Sequence, residues 1–143
     1  MVIKSNKNFD FLFIGMGAAN CLLLLKLHEK DLLANKKIAI VEPVNKVAND
    51  RNFCFWSSEE ELSTLKIEDL VSSKWQKIKV ADREYQNISP LYYYHVKGID
   101  LYKKAREILK YLDVTHYYET FEGIPVLHAN TFEINLLNEK IEA

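Results

Sequence analysis

The stretch Gly15-Met16-Gly17-Ala18-Ala19-Asn20 is where residue types and spacing in this chain fit the chemistry of holding an anion. Two glycines one residue apart, after an apolar run and before a run of helix formers, suit a tight strand-to-helix turn. Gly15 permits the turn. Gly17 has no side chain, so a pyrophosphate can approach the backbone, where free N–H groups and the positive end of the helix dipole favour it without a lysine. The general pattern has a third glycine, which lets helix and strand pack closely, and Asn20 stands in its place. Glu42 follows roughly 20 residues later, at the end of the next apolar run, where a carboxylate can accept hydrogen bonds from the ribose 2′- and 3′-hydroxyls and would repel a 2′-phosphate. Together they favour an adenosine with free ribose hydroxyls, as in FAD or NAD, over NADP. A βαβ unit can carry such residues with no ligand, but the strand-turn-helix context favours the nucleotide reading.

Elements that would position these residues can be read on either side of them. Residues 9–14 form a short apolar run holding one acid, Asp10, as in a buried strand of a parallel sheet. The pattern turns helical over 18–30, with Leu22, Leu23, Leu25 and Leu27, and fades into Asp31. Residues 37–42 repeat the strand signal and meet Pro43, which cannot donate to a ladder. These three pieces make one βαβ unit with a right-handed crossover.

Beyond it, residues 45–73 read as a long irregular loop, apart from a short acidic helix over 58–65. Residues 75–80 and 85–88 alternate apolar with polar and suggest a hairpin turning at 81–84. Asp100 is a plausible N-cap for a helix to about Leu112, with Leu101, Ala105, Ile108, Leu109 and Leu112 on one face. Residues 114–118 return as a third parallel strand. Residues 124–128, 131–136 and 140–142 are β-like runs separated by Ala129-Asn130 and Asn138-Glu139, as in a β-meander.

Composition narrows the function classes. The chain has 143 residues, 48% of them apolar, enough for one compact core or part of one. Its 19 basic and 20 acidic side chains are interspersed and leave a net charge of -1, so no field points at nucleic acid. Cys21 and Cys54 have no partner at metal-ligand spacing and are expected to be reduced thiols. The polar start, residues 1–10, and the early glycines do not read as a secretion signal, and no run is long enough to span a membrane. A cytoplasmic protein is expected, with any membrane contact peripheral. His28, His95, His116 and His128 show no catalytic or metal spacing. Glu59, Glu60 and Glu61 read as a solvated helix face. Phe53, Phe55, Trp56 and Tyr92 to Tyr94 fit packing better than a ligand tunnel. Arg51 is either a counter-charge for the pyrophosphate or a solvated surface arginine.

With these residues in view, the glycine turn, its Asn20 and the Leu-rich helix resemble the start of bacterial lycopene cyclases, which favour Asn where other Rossmann proteins have glycine. Asn49-Asp50-Arg51-Asn52-Phe53-Cys54-Phe55-Trp56 is similar to the aromatic-rich stretch after the second strand of those enzymes. Pro90-Leu91-Tyr92-Tyr93-Tyr94-His95 running into Asp100-Leu101-Tyr102 resembles the segment leading to their next helix. The resemblance implies an α/β fold, the Rossmann-like FAD-binding fold of the glutathione-reductase and hydroxylase type. It is incomplete here, so that residues 1–143 are the truncated N-terminal part of an FAD/NAD(P)-binding domain with a β-meander near its C-terminus. It implies closure of the linear ends of lycopene into β-rings without net redox change, with reduced FAD as cofactor and NAD(P)H as reductant. Cofactor-binding residues carried over are Gly15, Met16, Gly17, Ala18, Ala19, Asn20 and Glu42, with Arg51 as a candidate. No catalytic residue is carried over. The family's Phe-Leu-Glu-Glu-Thr type acidic motif is absent, and Tyr118-Glu119-Thr120-Phe121-Glu122 comes too early and in the wrong order. An aromatic hydroxylase, a prenyl reductase and a nucleotide-binding module without chemistry remain open alternatives.

Overall fold

The computed structural model describes residues 5–137 and 139–143. The first four residues of the polar start and Asn138 of the expected final turn lie outside that description. In chain order the elements are β1 (Ser5–Asn8), β2 (Phe11–Ile14), α1 (Ala18–Glu29), β3 (Lys37–Val41), β4 (Asn52–Ser57), α2 (Glu59–Leu65), β5 (Val71–Trp75), β6 (Lys77–Ile78), β7 (Gln86–Asn87), β8 (Tyr92–Lys97), α3 (Gly98–Leu109), β9 (Asp113–Tyr117), β10 (Val126–Leu127), β11 (Phe132–Asn135) and β12 (Glu139–Glu142). Contacts divide the chain into two units, one of Met1–Asn45 with Ala105–Ala143 and one of Lys46–Lys104.

The first unit is mixed α/β. Its parallel sheet has the order β2-β3-β9, in register from Phe11 opposite Ile38 to Ile14 opposite Val41. The central strand β3 buries Ile38, Ala39, Ile40 and Val41, as expected of a strand flanked on both edges and covered on both faces. Cys21 and Leu24 of α1 are fully buried. Ala39 and Val41 pack with Ile134, Leu136 and Ile141 of the C-terminal segment, against which Phe9, Leu12, Tyr117 and Phe121 also lie. That segment is the expected meander, β10-β11-β12 antiparallel, and β1 adds to β12 in parallel.

Two expectations for this unit change. The apolar run over 9–14 is not one strand: the chain bends at Asp10, whose carboxylate accepts from the Lys37 N–H at 2.8 Å and from the Lys36 ammonium at 2.9 Å. The polar start contributes a strand, β1, which has no apolar alternation to announce it and lies at the edge of its sheet.

The second unit holds an antiparallel sheet of order β4-β8-β5. The expected irregular loop over 45–73 is therefore largely ordered. In β4, Phe53 and Phe55 turn inward while Asn52, Cys54 and Trp56 are exposed, so the period of two is hidden because the outward positions also carry apolar types. The short acidic helix is present as α2, with a full capping box: Ser58 Oγ accepts from the Glu61 N–H at 3.1 Å and Glu61 Oε2 accepts from the Ser58 N–H at 2.9 Å. The expected hairpin is reduced to β6 and β7, with Lys77 opposite Asn87 and Ile78 opposite Gln86, because Trp75 belongs to β5. Strand β8 runs directly into α3, so Asp100 lies in the first turn of that helix and is not its cap.

Candidate functional site

The glycine turn occupies the connection from β2 to α1. Gly15 has φ of +78°, in the left-handed region that favours glycine, and its N–H donates to the Val41 carbonyl at 2.7 Å, carrying the β2–β3 ladder into the turn. Gly17 is the N-cap of α1, with φ of −77°, a conformation open to any residue. A Cβ added to Gly17 meets no protein atom within 4 Å. The space above it is therefore not reserved for the chain's own packing. No side chain caps α1 and its first turn carries no acid, which leaves the helix start suited to an anionic ligand.

Glu42, just past the end of β3, is brought to the same turn. Its Oε2 accepts from the Met16 N–H at 2.8 Å, and its Oε1 from the Val44 N–H at 3.3 Å. A carboxylate has about four lone-pair positions, so Glu42 can serve several donors at once. Asn20, one turn into α1, uses its side-chain amide as a donor: Nδ2 reaches the Gly15 carbonyl at 2.6 Å and the Ile14 carbonyl at 3.0 Å. The departure from a third glycine is thus a tie between helix and turn. The sequence does not disclose that role, because it depends on where the carbonyls of Ile14 and Gly15 point in the fold. Met16 is buried, Ala18 is half-buried, and Gly17 and Ala19 are exposed; the Met16 carbonyl lies 3.7 Å from the buried Cys21 thiol.

Of the eight candidate residues, seven are gathered in this one place. Arg51 belongs to the second unit; its side chain is exposed and its carbonyl accepts from the Gly98 N–H at 2.9 Å. The aromatic residues divide between packing and exposure. Phe55 stacks on buried Tyr94 at 5.6 Å and Phe53 meets Tyr102 edge-on at 6.1 Å, whereas Trp56, 4.7 Å from Tyr93, keeps half its surface exposed. Glu119, the acid nearest in lettering to the family motif, accepts from the Leu137 N–H at 3.0 Å. Among the described residues no group of three or more His, Cys, Asp or Glu could hold a metal, and no helix is long and apolar enough to cross a membrane. Neither Cys21 nor Cys54 is in a disulfide.

A parallel sheet, a glycine turn opening an uncapped helix and an acid at the end of the second parallel strand define a Rossmann-type βαβ unit. The chain belongs to the lycopene cyclase family: the family model described as "Lycopene cyclase protein" matches residues 10–127. Solved structures agree on the fold. P. aeruginosa PqsL, solved in complex with 2-aminobenzoylacetate, is similar at a TM-score of 0.61 and 14% identity, over 94% of this chain and 41% of that one. CtdE, solved in complex with FAD, is similar at 0.57 and 12%, over 98% and 36%. A geranylgeranyl bacteriochlorophyll reductase-like protein of Thermoplasma acidophilum is similar at 0.56 and 10%, over 96% and 37%. This chain thus spans about two fifths of the length of these structures. No curated protein matches it in sequence.

Proposed function

We propose that this chain is the N-terminal, flavin-nucleotide-binding part of a lycopene cyclase, whose whole protein closes the linear ends of lycopene into β-rings. The observation that carries the reading is the open space at Gly17, at the uncapped start of α1, in the turn to which Glu42 is bonded. In this reading the N–H groups at the start of α1 hold the pyrophosphate of FAD, and Glu42 holds the adenosine ribose. Gly15, Met16, Gly17, Ala18, Ala19 and Asn20 shape the turn.

Cyclisation begins when a proton reaches the terminal alkene, and the resulting tertiary cation is trapped by the neighbouring double bond before a proton leaves. When bound, reduced FAD would supply electron density that favours this cation, with NAD(P)H as the reductant that maintains it. Residues 1–143 bind and orient the cofactor, and the acid is supplied from outside them. The protein works in the cytoplasm, with peripheral contact to the membrane that holds its carotenoid.

The test is a pigment assay in a lycopene-accumulating host, comparing residues 1–143 alone with the same residues joined to the remaining region of a close relative. Ring-bearing carotenoid is expected from the joined protein only. A folded, flavin-loaded fusion that leaves lycopene linear would overturn the reading, and rings from the short chain would place the acid within it.

A further inference from the structure

A single peptide unit in the glycine turn is gripped at both ends. The bond between Gly15 and Met16 has its carbonyl held by the Asn20 amide at 2.6 Å and its N–H held by the Glu42 carboxylate at 2.8 Å. Rotating this peptide changes ψ of Gly15 and φ of Met16, and glycine restricts the first of these little, so on the Gly15 side its orientation is held by these two hydrogen bonds. Rotation would break both bonds and turn the carbonyl oxygen toward the carboxylate, where two acceptors repel. The second Asn20 bond, to Ile14, ties the same side chain to the last residue of β2.

The geometry points to Asn20 as a positioning residue that locks the Gly15–Met16 peptide together with Glu42, so that the turn is already set before a nucleotide arrives. In the general fingerprint the third glycine serves close packing alone; here that position takes part in a polar relay running Asn20, peptide, Glu42. The consequence for binding rests on the flavin reading above. Through this relay, the residue assigned to the ribose and the turn assigned to the pyrophosphate are ordered as one piece, and loss of Asn20 loosens the Met16 N–H, 26 positions from the Glu42 that holds it.

Amide hydrogen exchange on residues 1–143 without nucleotide tests the lock. Asn20→Leu keeps the branched heavy-atom skeleton and removes the donor; Asn20→Gly restores the general pattern and serves if the leucine variant folds poorly. Exchange at Met16 is expected to rise at least tenfold in the variant, although Asn20 makes no bond to that N–H, while Ile40 in β3 and Leu24 in α1 keep their wild-type rates. Unchanged exchange at Met16, or an equal rise at all three amides, overturns the lock. FAD titration of the same proteins is the second arm. A tenfold or greater rise in Kd for the variant supports positioning for the nucleotide, and an unchanged Kd contradicts it. Absence of FAD binding by wild type would refute the flavin reading, while the exchange arm would still judge the lock.

Discussion

The two glycines of the turn serve different physical ends, and substitution separates them. Gly17 has an ordinary backbone conformation and nothing within 4 Å of an added Cβ, so Gly17→Val should fold, at a cost of no more than about 1 kcal/mol for a poorer N-cap. It should nevertheless lose FAD, because the branched side chain fills the approach to the backbone. A variant that melts near wild type and still binds FAD normally would remove the phosphate site from Gly17. Gly15→Ala, by contrast, places a side chain at φ of +78° and should cost about 1–2 kcal/mol of stability with no ligand present, measured by denaturant unfolding. Glu42→Ala removes both the acceptor for the Met16 N–H and the ribose carboxylate, and FAD binding should weaken by about 1–3 kcal/mol. Titration giving an unchanged affinity would mean that the ribose is held elsewhere.

The junction of β8 with α3 explains a glycine to which no function attaches. A Cβ on Gly98 would collide with the Arg51 carbonyl oxygen, which already accepts from the Gly98 N–H, so Gly98→Ala should destabilise the protein by about 1–3 kcal/mol, read by denaturant unfolding. At the β2–β3 edge, the Lys37 N–H and then the Lys36 ammonium hold the Asp10 carboxyl below the usual carboxylate range. A depressed folded value means stability that is present above the unfolded pKa and lost as pH falls through the folded one. Asp10→Asn should therefore lose less stability than wild type on acidification below about pH 4, read by thermal melting across that range. The βαβ unit was legible in the sequence because β3 is apolar at four consecutive buried positions and α1 follows a glycine pair. The parallel return of β9 and the meander were legible for similar reasons. Strands β1 and β4 were not: β1 is polar, and β4 puts Cys54 and Trp56 on its exposed side, erasing the alternation that marks a half-buried strand. In the site, residue types announced Gly15, Gly17 and Glu42, but the bonds of Asn20 depend on where two carbonyls point, which no letter encodes.

At the scale of the whole molecule, the lycopene cyclase family model matches residues 10–127, and the chain spans 36% to 41% of the length of the solved structures it resembles in fold. The central claim is that residues 1–143 carry an adenosine-pyrophosphate half-site built on Gly17 and Glu42. Its most direct test is a calorimetric FAD titration of this chain, repeated in the presence of excess ADP, of excess FMN and of an ADP analogue bearing a 2′-phosphate. The expected result is weak, saturable binding that ADP abolishes, that FMN leaves nearly unchanged, and that the 2′-phosphate analogue competes for poorly because Glu42 repels it. Displacement by FMN as effective as that by ADP would mean that Gly17 and Glu42 do not form an adenosine-pyrophosphate site.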